Sequence, residues 1–228
     1  MSLIDEGSLA ATLDAVNEAL FFGHHLPKAE CARTAQWIAA RQGLPGSYAG
    51  MFAPTRQDFA NGIRLFTGER IATRAGTSHI LGEEACRVLI LLGVQLADVR
   101  AALQRASDGI RARLGDPGPG QPVTGRYCCG KCSAALWRHL AVGGLGGQES
   151  RLAAAMRELK ASRTEDGQWR SYPLFYTLSA LCEIAWPGAV TELRYAAPGL
   201  ERYLRRPLRD DPYAARRRAV AERALARC

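Results

Sequence analysis

The chain has 228 residues, a formal net charge of +8 and 47% hydrophobic residues. That length can bury a substantial core, and with no uncharged apolar run of about eighteen residues a transmembrane helix is not expected. The N-terminus, Met1-Ser2-Leu3-Ile4-Asp5-Glu6, lacks the basic region of a secretory signal, so a cytoplasmic location is the expectation. The charge is uneven. Residues 201–228 carry nine Arg and four acids, a net of +5, which leaves +3 for the rest. The seven cysteines are an odd number for a disulfide framework and read as reduced, mostly buried small hydrophobes.

In chain order, apolar residues recur at helical spacing over 9–22, 29–40, 59–66, 80–92, 96–114, 132–142, 152–159, 174–186, 190–204 and 213–225. Strand alternation is nearly absent, so the expected class is all-α. Residues 1–27 read as an N-terminal helix and loop, and 201–228 as a basic C-terminal helix. Two breaks, 115–122 and 143–147, are rich in Gly and Pro. Either position suits a domain boundary, but a repeat running across both favours one domain of 1–228 with these as loops.

That repeat is short. Gln42-Gly43-Leu44-Pro45-Gly46-Ser47-Tyr48 and Gln121-Pro122-Val123-Thr124-Gly125-Arg126-Tyr127 share Q-x-x-x-G-x-aromatic. Arg163-Thr164-Glu165-Asp166-Gly167-Gln168-Trp169 keeps Gly-x-Trp and replaces Gln by Arg. Weaker copies precede helices at Gly76-Thr77-Ser78-His79 and Asp211-Pro212-Tyr213. The anchors at 46, 76, 125, 167 and 211 are spaced by 30, 49, 42 and 44 residues, the length of a helical hairpin with its loops. Gly permits an unusual backbone or a close approach. The aromatic two residues later can fill a seam between hairpins.

This pattern is similar to the repeat signature of the squalene-cyclase and protein-prenyltransferase superfamily, and the chain resembles a small member over residues 31–184. The resemblance implies an α/α toroid, whole or partial, of about five stacked hairpins. Helices 54–66, 80–92, 130–142, 173–186 and 213–225 would be inner. The family's chemistry does not follow. The Asp-x-Asp-Asp acid motif of the cyclases is absent, as is the Asp-x-Cys of the zinc-dependent prenyltransferases.

Candidate sites lie just after the motifs. Cys129-x-x-Cys132 has metal-clip spacing and His139 lies two turns on, which makes zinc a candidate cofactor; further ligands would have to come from long range, and His79 and Cys86, also seven residues apart, could supply them. A redox role for the cysteine pair ranks below it. Arg126, Lys131 and Arg170 stand at expected helix starts, where backbone N–H groups attract anions. Tyr127, Trp169, Tyr172 and Tyr176 add aromatic surface. A basic rim over an aromatic cavity suits a small hydrophobic or amphipathic anionic ligand, such as an isoprenoid diphosphate. The bland reading is a solvated rim over core aromatics. His24-His25 reads as a helix end. Glu83-Glu84 read as partners of a helix N-terminus, and Asp58 is ambiguous between roles.

The leading expectation is therefore a ligand-binding helical toroid, and whether it is catalytic stays open. A prenyltransferase- or terpene-cyclase-like enzyme is the alternative. A protein- or nucleic-acid-binding helical repeat comes third, with nucleic acid disfavoured because the positive charge is confined to the tail.

Overall fold

A computed structural model describes residues 2–115, 123–208 and 210–228. The fold class is all-α: among the described residues there are ten helices and one two-stranded sheet. In chain order these are α1 (Leu9–Phe22), α2 (Lys28–Ala39), α3 (Arg56–Asn61), β1 (Ile63–Arg64), β2 (Arg70–Ile71), α4 (Arg74–Leu92), α5 (Ala97–Leu114), α6 (Gly130–Ala141), α7 (Gln148–Ala161), α8 (Leu174–Glu183), α9 (Pro187–Leu204) and α10 (Ala214–Leu225). No described helix is long and apolar enough to cross a membrane.

Contacts gather into two compact units. The first comprises Met1–Leu65, Arg70–Pro119 and Val142–Gly146, and the second Phe66–Glu69, Gly120–Ala141 and Gly147–Cys228.

In the first unit, α4 packs against α1, α2, α3 and α5. It is buried on all sides from Ile80 to Leu89, as a central helix must be when other helices surround it. Gly82 lets Met51 pack against it, since a Cβ there would lie 2.6 Å from the Met51 methyl. The helix 59–66 expected from periodicity is cut to α3. Gly62 ends it at φ 68°, and the chain then pairs Ile63 with Ile71 in a short antiparallel ladder. Thr55 and Asp58 close a capping box on α3. Asp58 also accepts from the Ser8 hydroxyl at 2.6 Å and from the backbone N–H of Leu9 at 3.0 Å, so one buried carboxylate serves the starts of two helices. Its role is structural.

Two further expectations are corrected here. Glu83 and Glu84 are not near a helix start. The helix begins at Arg74, capped by Thr73, because Gly76 to His79 are helical rather than a turn. Glu84 instead joins a buried network in which Asn17 donates to it at 3.2 Å and Arg87 donates to Asn17 at 2.6 Å. His24 follows Gly23, whose left-handed φ of 69° terminates α1. The His24 ring stacks on Phe22.

In the second unit, α8 packs on α6, α9 and α10, and α7 packs on α6 and α9. The residues Cys132 to Leu140 of α6 are all buried. The basic tail is used in this packing. Arg216 lies over the Phe66 ring at 4.8 Å, Arg217 pairs with Asp211, Arg218 donates to the Leu204 carbonyl and Arg227 to that of Ile184. Arg209 and the expected loop 115–122, apart from Gly115 and including the motif residue Gln121, lie outside the described residues.

None of the seven cysteines forms a disulfide, and they are not mostly buried. Cys86 and Cys132 are buried, Cys31 and Cys182 are half-buried, and Cys128, Cys129 and Cys228 are exposed. Apolar burial therefore accounts for two of them, not for the set.

Candidate functional site: an arginine-lined cleft

The first and third motifs build the same local structure. Gln42 bridges antiparallel to Phe52, and Arg163 bridges antiparallel to Trp169. Around the first bridge, Gly43 N–H donates to Met51 and Ala53 N–H to Arg41. Around the second, Thr164 N–H donates to Gln168 and Arg170 N–H to Ser162. Gly46 and Gly167 each carry a positive φ, 94° and 84°, so each needs the residue without a Cβ. In space the counterpart of Trp169 is Phe52, not Tyr48. Phe52 and Trp169 are both buried, whereas Tyr48 is half-buried and meets the His79 ring in a tilted contact at 3.7 Å.

The second motif uses its glycine differently. A Cβ on Gly125 would lie 2.0 Å from the Ala155 backbone nitrogen, so α7 crosses directly over it. Its carbonyl accepts from the Trp137 indole at 2.7 Å, and its N–H donates to Glu158 at 2.9 Å.

These contacts frame a cleft of about 580 Å³ in the second unit. It is lined by Thr124, Arg126, Glu158, Ala161, Ser162, Arg163, Arg170, Ser171 and Tyr172. Two of the chain's motifs supply its opposite walls: Thr124 and Arg126 come from one, Arg163 and Arg170 from the other. Glu158, on the last turns of α7, holds the first wall by accepting from the Thr124 hydroxyl at 3.0 Å as well as from Gly125. Ser171 sits at φ 70°, a left-handed conformation uncommon outside glycine, and its carbonyl abuts Gly130 at the start of α6. Tyr172 forms the aromatic part of the lining, backed by Trp137 in a stacked contact at 5.4 Å. Burial, followed by the Glu158 carboxylate, raises the Tyr172 phenol above its ordinary value despite the nearby Arg126. The phenol therefore stays a neutral hydrogen-bond donor at physiological pH.

The guanidinium groups differ in their commitments. Arg163 is forked onto Glu192, at 3.0 and 2.9 Å, and lies over the Tyr195 ring at 4.3 Å. Arg126 and Arg170 are exposed, and among the described residues neither guanidinium has an ion-pair or hydrogen-bond partner.

Of the ligand residues expected from sequence, Arg126, Arg170 and Tyr172 thus meet in one cleft. Tyr127, Lys131, Trp169 and Tyr176 do not line it. Trp169 is core, donating its indole N–H to Glu192 at 2.9 Å. Tyr176 is core as well, under the Arg138 guanidinium at 5.5 Å. Glu158 and Arg163 are the lining residues that sequence reasoning missed. Arg163 was visible as the departure from Gln in the third motif, whereas nothing local marks Glu158.

The thiol cluster lies at the start of α6. The Cys128 and Cys132 sulfurs lie within 4.8 Å of one another there, but neither Cys129 nor buried His139, two turns along, is gathered with them into a group of three donors among the described residues. Burial raises Cys128 and Cys132 above the ordinary thiol range. For Cys129 burial acts in the same direction, but the N–H and thiol of Cys132 and the N–H of Lys131 outweigh it and lower the value.

The first unit has a separate groove of about 740 Å³, lined by residues of the N-terminal segment, α1, α2 and the His24–Pro27 turn. Glu30 anchors it, accepting from Leu3 N–H at 2.8 Å and pairing with Arg33.

No family model, curated protein or solved structure matches this chain.

Proposed function

We propose that the second unit binds a small anionic ligand, phosphate- or diphosphate-like, in the cleft between Arg126 and Arg170. One observation carries this reading: two exposed guanidinium groups without partners among the described residues face a concave site whose third arginine is already neutralised by Glu192. Arginine matches phosphate geometry through its planar fork of donors. Ser171 and the neutral Tyr172 phenol add hydroxyl donors of the kind that fix an anion's orientation, whereas the Thr124 and Ser162 hydroxyls already donate to Glu158 and to the Leu159 carbonyl. Tyr172, stacked on Trp137, offers an apolar face for a hydrophobic portion of the ligand.

The reading is of a binding site rather than a catalytic one. Glu158, the carboxylate in the lining, spends one oxygen on Thr124 and Gly125 and so acts as a support. The motif resemblance to the cyclase and prenyltransferase superfamily selects an isoprenoid diphosphate as one ligand to try.

Calorimetric titration with inorganic phosphate, pyrophosphate and a prenyl diphosphate tests the proposal. Pyrophosphate is expected to bind, and more weakly as salt rises. Combining R126A with R170A should weaken it about 10- to 100-fold, at the strength of charge-assisted hydrogen bonds. Absence of binding by all three anions, or unchanged binding in the double variant, would refute it. Tighter binding of the prenyl diphosphate than of pyrophosphate would show that the Tyr172 face contributes.

A further inference from the structure

The start of α6 places three thiols side by side, and the cleft makes no use of them. Cys128 and Cys129 are exposed and Cys132 is buried. The Sγ atoms of Cys128 and Cys132 lie within 4.8 Å of one another. Cys129 stands between them in the sequence, next to Cys128 on the bend that leads into α6.

The backbone holds this arrangement rigidly. Cys129 carbonyl accepts from Ser133 N–H at 2.8 Å, and the Ser133 hydroxyl accepts from Tyr127 N–H at 2.9 Å, so both ends of the Cys128–Cys132 turn are tied to α6. Gly130, between the thiols, is locked against the backbone of the second unit: a Cβ there would lie 1.9 Å from the Ser171 carbonyl oxygen. A purely apolar role does not explain the cluster, because two of the three sulfurs face solvent.

We propose that Cys128, Cys129 and Cys132 together bind a thiophilic closed-shell cation of the zinc class, as three of the ligands of a tetrahedral site. Sulfur is the donor such ions prefer, and Zn–S distances of about 2.3 Å bring coordinated sulfurs closer together than the 4.8 Å that bounds the Cys128 and Cys132 pair. The exposed pair provides the entry path, and buried Cys132 anchors the site to the core. This assignment uses Cys129 and Cys132, the clip visible in the sequence, and replaces His139 with Cys128. It is independent of the anion reading.

The test uses the full chain, reduced and freed of metal by a chelator. Zn²⁺ is titrated against a chromophoric competitor, and Co²⁺ serves as a spectroscopic probe because thiolate ligation gives sulfur-to-cobalt charge-transfer bands. One equivalent is expected to bind, with those bands present. C128S and C129S should each weaken binding about tenfold or more. Both residues are exposed, so circular dichroism of the two variants should match the parent, which separates loss of a ligand from loss of the fold. The triple variant of Cys31, Cys182 and Cys228 to Ser should bind like the parent. Three results would overturn the proposal: no stoichiometric binding by the reduced chain, binding that survives C128S combined with C129S, or binding lost in the triple variant. A chain that oxidises to a Cys129–Cys132 disulfide yet binds no metal when reduced gives the first result and assigns the cluster to redox chemistry.

Discussion

Arg163 grips Glu192 with both arms of its guanidinium, at 3.0 and 2.9 Å, and the same carboxylate receives the indole N–H of Trp169 at 2.9 Å. The pair joins the ladder after α7 to the first turns of α9. Glu192 is almost wholly buried, so its charge is tolerated only because these donors surround it. Arg163 occupies the position that Gln holds in the first motif, where Gln42 bonds the Gly50 carbonyl at 2.8 Å and receives Arg105 at 2.6 Å. The exchange of Gln for Arg follows the partner: a carboxylate requires a cation, a carbonyl requires only a donor.

Substituting Arg163 by Gln should therefore not be neutral, although it restores the motif. It leaves Glu192 buried with the Trp169 indole as its remaining strong donor. Breaking such a pair from one side costs about 3–5 kcal/mol when both groups are buried. Arg163 is about a quarter exposed, which places the expectation at about 2–3 kcal/mol. Urea denaturation of R163Q measures it. The combined R163Q and E192Q variant should recover part of the loss, because no buried charge is then left unpaired. A single variant as stable as the parent would mean that Glu192 finds other partners.

Helical periodicity located nine of the ten described helices, because each buries one face or, like α4, all of them, although it began α4 at residue 80, six residues after its observed start at Arg74. It overran α3 because Phe59–Phe66 is apolar enough for a helix, while the stop depends on the φ of Gly62 and on Ile71, a distant partner. The recurrence of Gln, Gly and aromatic residues marked real ladders at 42–52 and 163–169. It mispaired Tyr48 with Trp169, since the first loop is longer and the buried aromatic is Phe52. In the cleft, Arg126, Arg170 and Tyr172 were legible from their place after the motifs. Trp169 and Tyr176 were not separable from them, because burial of an aromatic is decided by which helix crosses it. Glu158 lies more than thirty positions from the loop it supports, a pairing that only the tertiary fold creates.

Two glycines should respond very differently to alanine. At Gly125 the added methyl meets the Ala155 nitrogen and Cα at 2.0 and 2.1 Å, and backbone cannot swing aside as a side chain can. G125A should displace α7, loosen the wall that carries Thr124 and Arg126, and destabilise the chain by about 3 kcal/mol or more. At Gly43 nothing lies within 4 Å of the added atom, and the cost is that of a left-handed φ of 70° alone. G43A should cost about 1–2 kcal/mol. Thermal unfolding of the two variants side by side tests the distinction, and equal losses would contradict it.

Asp58 offers a test of shared capping. Its carboxylate serves Ser8, Leu9 and Thr55, and Thr55 in return caps α3. D58N keeps the shape but replaces one acceptor oxygen with a donor that faces donors. About 2–4 kcal/mol should be lost, the sum of two helix caps and a buried charge-assisted bond. Hydrogen exchange should locate the loosening at the first turns of both α1 and α3. Loosening at α3 alone would show that the link to α1 adds nothing.

Glu30 sets an acid limit on the first unit. Its carboxyl is lowered below the ordinary value of 4.5, first by the Leu3 N–H and then by the Arg33 guanidinium, against a smaller opposing effect of burial. A carboxyl lowered on folding contributes stability that is fully present above its unfolded value. That contribution is lost as pH falls through the lowered folded value. The parent should therefore lose stability below about pH 4.5 more steeply than E30Q, and the gap between them should be widest near neutrality and narrow in acid. Melting temperatures of both chains from pH 7 to pH 3 check this. A gap that does not change with pH would show that Leu3 and Arg33 do not distinguish the carboxylate from its neutral amide.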